Sequence, residues 1–183
     1  MKKAAILLLV ILFAIPAFAQ QDESVTTTAT EKNVFKINSL SLLLGTGSIF
    51  YERKFSDLIS GQLGVAYMGV KISDTKFRGY ILTPEVRIHP KKNAIDGFYI
   101  APYMRYQNYS LSSGSDKGTL SSVGGGLLVG RQWIKKSGFT MDLFFGGHYS
   151  TSSIKSDSET SSFKTDFITG FGVRVGFALG FAF

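Results

Sequence analysis

From Val34 onward the chain alternates, with a period of two, between bulky apolar residues and small or polar ones. The last segment, Gly170 to Phe183, is the cleanest. Phe171, Val173, Val175, Phe177, Leu179, Phe181 and Phe183 are bulky and apolar, while Gly170, Gly172, Gly176, Ala178, Gly180 and Ala182 are small and Arg174 alone among them is large. A helix would scatter both sets around its axis. A strand sends successive side chains to opposite faces and sorts them. Arg78–His89 sorts Tyr80, Leu82, Pro84, Val86 and Ile88 against Thr83, Glu85, Arg87 and His89. Phe98–Tyr109 sorts Phe98, Ile100, Pro102, Met104 and Tyr106 against Tyr99, Tyr103, Arg105 and Gln107. Phe139–Ser150 sorts Phe139, Met141, Leu143, Phe145 and Tyr149 against Asp142 and His148. Ser48–Phe55 sorts Ile49, Tyr51 and Phe55 against Phe50, Glu52 and Lys54. Phe35–Leu44, Gln62–Ile72 and Ser122–Trp133 are strand-like with no face assigned, which makes eight predicted strands.

The connections alternate in length. "SDLIS" (Ser56–Ser60) and "KKSG" (Lys135–Gly138) are short. "SLSSGSDKGT" (Ser110–Thr119) is longer, and so is Ser150–Asp166, where 10 of 17 residues are Ser or Thr. Short turns at one end and longer loops at the other are the habit of transmembrane barrels. Two connections fit less well: the first outer turn, near Gly45–Gly47, is very short, and "PKKNAIDG" is long for an inner turn.

A soluble barrel and a transmembrane barrel share this period, with the faces exchanged. The last strand separates them. A soluble barrel would expose its glycines and crowd seven bulky side chains inside, yet eight strands leave room only for a filled core or one small ligand. The expected fold is therefore all-β: an eight-stranded antiparallel up-and-down transmembrane β-barrel with a filled polar lumen. The charges agree. Glu52, Lys54, Glu85, Arg87, Arg105, Asp142 and Arg174 all fall on the less apolar face and are expected to form an interior ion-pair network. On a lipid face at mid-bilayer an Arg or Lys would cost roughly 2–4 kcal/mol. Arg53 and Arg131 share the apolar parity and are placed at the inner interface, where they can snorkel beside Trp133.

These residues resemble small eight-stranded outer-membrane barrels of the OmpA/OmpX kind. "FKINSLSLLLGTGSIFYERKFSDLISGQLGVAY" (Phe35–Tyr67) and "GGGLLVGRQW" (Gly124–Trp133) resemble an uncharacterised family of such barrels common in Bacteroidota. The matching features are Lys36 and Asn38, Leu42–Gly47, Tyr51-Glu52-Arg53 and Ser56–Ser60. The resemblance implies an architecture and no activity. It also implies that Phe183 is part of the signal read by outer-membrane assembly machinery.

The two ends of the chain add an address. Lys2 and Lys3, an apolar stretch Ala4–Ile15 and Ala17-Phe18-Ala19 read as a secretory signal peptide, residues 1–19, cleaved after Ala19. Residues 20–33 read as a flexible polar leader and 34–183 as the barrel. Loss of Lys2 and Lys3 lowers the formal charge from +7 to +5, spread along the chain, so no nucleic-acid partner is expected. Without cysteine there is no disulfide, and neither histidine has a second at ligand spacing, so no metal or cofactor is expected.

The sharpest catalytic candidates are His148 and Ser150, two apart on one strand face, with Glu159 in the following loop. A base beside a serine, oriented by a carboxylate, is the arrangement that outer-membrane lipid A deacylases use. His148 nevertheless falls on the lumen parity, and a serine two residues away is unremarkable in a Ser-rich loop, so a polar rim histidine is the preferred reading. Glu85, Arg87 and His89 on one face read as ion-pair partners rather than a metal site. The expected function is a non-enzymatic, monomeric outer-membrane barrel supporting envelope integrity or binding a surface through its outer loops. Its expected partners are outer-membrane lipids and the assembly machinery. The alternatives are a lipid-modifying enzyme and a soluble periplasmic ligand-binding barrel.

Overall fold

The computed structural model describes residues 31–43, 45–72, 75–113, 116–156 and 167–183. The signal segment and residues 20–30 of the leader lie outside them. Eight strands form: β1 Asn33–Asn38, β2 Thr46–Lys54, β3 Ile59–Ile72, β4 Thr75–Ile88, β5 Gly97–Ser113, β6 Asp116–Ile134, β7 Phe139–Ser156 and β8 Phe167–Ala182. Each pairs antiparallel with its neighbours in chain order, and β1 pairs with β8 to close the barrel. Closure runs through Val34↔Ala182 to Asn38↔Ala178, and Lys32 and Asn33 donate their backbone N–H groups to the Phe183 carbonyl at 3.2 and 3.0 Å. Asn33, expected in the leader, is therefore barrel.

The alternation sets which side chains point inward. In β8 Arg174, Gly176, Ala178 and Ala182 are enclosed, and Phe171, Val173, Val175, Phe177 and Phe181 face out. The same parity holds in β2, β4, β5 and β7. Among the strands without a face assignment, β1 turns Val34, Lys36 and Asn38 inward, β3 turns Ser60, Gln62 and Ala66 inward, and β6 turns Ser122, Leu128 and Gln132 inward. Glycine clusters on the inner faces of β6 to β8, where an added side chain would find no room. A Cβ on Gly124, Gly126 or Gly146 would run into the backbone of the adjacent strand, and one on Gly176 into the Phe144 ring.

Three expectations change. The first strand, expected to reach Leu44, stops at Asn38, and Ser39–Leu43 forms a helical turn, α1. Asn38 caps it: its Oδ1 accepts from the Ser41 N–H at 3.2 Å, and the Ser41 hydroxyl donates to the Asn38 carbonyl at 2.9 Å. Ser110–Thr119, expected as a loop, is mostly strand, with Ser110↔Thr119 through Ser113↔Asp116 paired. Threonine favours strands and serine is not among the residues that resist them, so pairing continues. For the same reason β7 runs on to Ser156, and the Ser/Thr-rich connection shortens to residues 157–166, which lie outside the described residues.

The long turn His89–Asp96, between β4 and β5, folds back as a plug. Ala94 and Ile95 are buried, and Ile95 packs with Val34, Ala182 and Ile134 across the end of the barrel where β1 begins and β8 ends. Ala94 N–H donates to the Asp57 carbonyl at 2.9 Å, His89 N–H to the Leu58 carbonyl at 2.8 Å, and Ile134 N–H to Asp96 Oδ1 at 3.1 Å. These bonds tie the turn to both neighbouring hairpins.

Candidate functional site: the charged lumen

Directly inside the plug lies a cluster to which seven of the eight strands contribute. Lys36 (β1), Glu52 (β2), Arg87 (β4) and Asp142 (β7) have no exposed side-chain surface. Lys36 Nζ donates to Glu52 Oε2 at 2.7 Å, to Asp142 Oδ2 at 2.9 Å and to Gln132 Oε1 (β6). Arg87 Nη1 donates to the same two carboxylate oxygens at 3.1 and 2.9 Å. Two cations and two anions thus share one square, in which each carboxylate oxygen bridges both bases. The remaining lone pairs are met from β3 and β5: Ser60 Oγ donates to Glu52 Oε1 at 2.6 Å, and Tyr99 Oη to Asp142 Oδ1 at 2.7 Å. The Arg87 guanidinium also stacks on the Tyr99 ring, 4.1 Å from its centroid. Gln132 Nε2 donates to the Ile95 carbonyl at 2.5 Å, fastening the square to the plug.

One layer further in, Arg174 (β8) meets Glu85 (β4) at 2.6 Å. The contact, through Arg174 Nη2, is an ion pair without hydrogen-bond alignment, since Glu85 Oε1 has no hydrogen bond; Arg174 Nη1 has none either. Arg174 sits among the rings of Tyr103, Phe144 and Phe50, at 4.8, 4.9 and 6.0 Å. With Arg174 and Glu85 included, three bases and three acids balance across the buried layers.

Beyond the aromatic layer the lumen loosens. Arg105 lies in this upper part, half-buried, with Nε unpartnered among the described residues. Gln62, paired in register with Glu52 and Glu85, is buried with neither amide atom bonded among the described residues. Lys54 leaves the lumen and pairs with Asp57 in the β2–β3 turn at 2.7 Å, an attraction that holds the exposed Asp57 carboxyl below its usual range. Asp96, in the plug turn, is shifted upward by burial. The expected network therefore contains Glu52, Glu85, Arg87, Asp142 and Arg174 in contact, with Lys54 and Arg105 apart.

His148 Nδ1 lies 3.1 Å from Tyr103 Oη, and the two rings meet edge to face. That bond crosses the lumen and is the hydrogen bond of the ring among the described residues. Ser150 lies two residues on, on the same inward parity, and Glu159 lies outside the described residues. The pair thus lacks a base-to-nucleophile contact. Among the described residues no group of three His, Cys, Asp or Glu side chains could hold a metal ion.

Lys36, Tyr99, Gln132 and Ser60 join this cluster without having been named from sequence as members of the network. Lys36 had a usable signal, since it alternates against Phe35 and Ile37. Gln132, flanked by Arg131 and Trp133, had none.

A family model described as "Protein of unknown function (DUF3575)" matches residues 6–162, and the chain belongs to this family. No curated protein and no solved structure matches it.

Proposed function

We propose that this family member is a bacterial outer-membrane barrel of non-enzymatic type, crossing the bilayer in up-and-down order with a sealed lumen. It would be exported on a signal peptide cleaved after Ala19 and would stand as a monomer. It would support envelope integrity or bind an external surface through its outer hairpins. Kinship with the OmpA/OmpX kind of barrel, and recognition of Phe183 by the assembly machinery, belong to the same proposal.

The observation that carries it is a level apolar band on the outside. The outward residues of β5 are apolar from Phe98 to Tyr106, nine residues, and those of β7 from Phe139 to Tyr149, eleven residues, with Gly147 the one small member. A tilted strand needs about 9–11 residues to cross a bilayer. The band ends on matching rows: Tyr106↔Val123 is followed by Asn108↔Ser121, and Tyr149↔Phe171 by Thr151↔Thr169. A face packed against other protein has no reason to stop along one plane around the barrel; a lipid slab does. Past that plane β5, β6 and β7 continue as polar hairpins, which supports a surface role. The fully partnered ion square and the Ile95 plug support a sealed rather than conducting lumen.

Cold and boiled samples of the membrane fraction on a denaturing gel test the proposal. The folded barrel should migrate differently from the boiled chain and stay with the membrane. Identical mobility and a soluble location would overturn it.

A further inference from the structure

We propose that the end of the barrel where β1 begins and β8 ends is a docking collar for the headgroups of anionic phospholipids in the adjoining leaflet. This rests on the membrane-spanning reading above. Charges dispersed along the chain are gathered here by the topology. Lys91 and Lys92 lie in the plug turn, Lys135 and Lys136 in the β6–β7 turn, Lys32 next to β1, and Arg53, Lys54 and Arg131 at strand ends beside them. All but Lys54 are exposed. Against these eight bases stand three acids, Glu31, Asp57 and Asp96. Two of the three are occupied, Asp57 by Lys54 and Asp96 by the Ile134 N–H. The excess at this end is therefore +5.

Its position relative to the apolar band suggests the occupant. Phe55, Phe98, Phe139, Phe181 and Phe183 face outward at this end, and Arg131 stacks on Trp133 with 5.3 Å between guanidinium and ring. Apolar rings would enter the acyl region while the bases stand just outside it, at the depth of the lipid phosphates. An open crevice of about 620 Å³, lined by Lys32, Arg53, Lys54, Phe55, Ser56 and Asp57, adds a concave seat with three bases and one aromatic ring. A soluble anion would be served by the bases alone and has no use for the adjoining rings.

Trp133 is the single tryptophan, and it lies at the collar, so it can report the lipid beside it. The full-length mature barrel is folded into phosphatidylcholine bilayers that contain a minor fraction of lipid brominated along its acyl chains. That fraction is either phosphatidylglycerol or phosphatidylcholine. Trp133 should be quenched as though phosphatidylglycerol were enriched about threefold at its side. Sodium chloride at 1 M, where the screening length falls to about 3 Å, should erase the preference. Joint substitution Lys91→Gln, Lys92→Gln, Lys135→Gln and Lys136→Gln should bring the two lipids close to parity. Lys117→Gln with Lys155→Gln, at the other end, should leave the preference intact. Equal quenching by the two lipids in the unaltered chain overturns the proposal, whether or not the barrel co-sediments with cell-wall glycan. So does a preference that survives both salt and the fourfold substitution. Quenching by neither lipid would instead count against insertion itself, and so against the outer-membrane reading.

Discussion

The lower and upper halves of the lumen are built on the same inward parity and behave as opposites. Below, Lys36, Glu52, Arg87 and Asp142 have no exposed surface, and their polar atoms are shared among seven strands. Above, Arg105 and His148 keep looser company, with Arg105 Nε unpartnered among the described residues. An aromatic layer of Phe50, Tyr103 and Phe144 separates them. Pointing inward is therefore insufficient to make a network. A buried charge is tolerated where partners from several strands converge on it, and the lower half alone achieves that convergence.

The largest effect should come from breaking the square. Asp142→Ala leaves Lys36, Arg87 and Tyr99 without a shared acceptor, and removing one partner of a buried pair costs about 3–5 kcal/mol. Urea unfolding of the folded barrel, followed by the heat-sensitive gel shift, measures this; a loss under about 1 kcal/mol would erase the distinction between the halves. Next is the dividing layer. Gly176→Val drives a side chain into the Phe144 ring and should cost about 1–3 kcal/mol. Adding Phe144→Leu should recover part of that loss if the clash is its cause.

In the upper half the expected effects shrink. His148→Ala removes one cross-lumen bond, to Tyr103, and should cost about 0.5–1.5 kcal/mol. Lipid A mass spectra from cells carrying this variant should match those of the unaltered protein. A mass difference would restore the enzymatic reading of His148 and Ser150. Arg105→Met exchanges an incompletely partnered cation, repelled by Arg174, for an apolar chain of similar reach, and should change stability by less than about 1 kcal/mol. A cost as large as that of Asp142→Ala would mean that the upper half is as tightly specified as the lower.

Much of the fold was legible because the signal is local. The Phe/Gly alternation of Gly170–Phe183 states both faces of β8 without reference to any other segment, and Glu52, Glu85, Arg87 and Asp142 could be placed inward on the same ground. The site was less legible. Lys54 obeys the inward parity, yet it sits at a strand end where Asp57 is three residues away, and the nearer acid takes it. Leu42 and Leu43 extend the apolar look of β1, but the cap at Asn38 bends the chain first. The Ser/Thr stretches read as loops because their composition suits loops, and it suits a solvated hairpin equally well.

The sequence by itself determined that strands form, that they number eight, and which face of most of them is greasy. Each of these follows from a two-residue repeat that the chain carries everywhere. Only the tertiary structure decided which inward groups meet. Lys36 reaches Asp142 across 106 positions and Arg87 reaches it across 55, between strands not all adjacent in the sheet. Such meetings depend on closure and on the stagger between strands, which no local repeat encodes. The same holds for Ile95, whose place as a plug is set by the width of the closed barrel end, and for the basic collar, which exists because three turns and a terminus arrive at one rim.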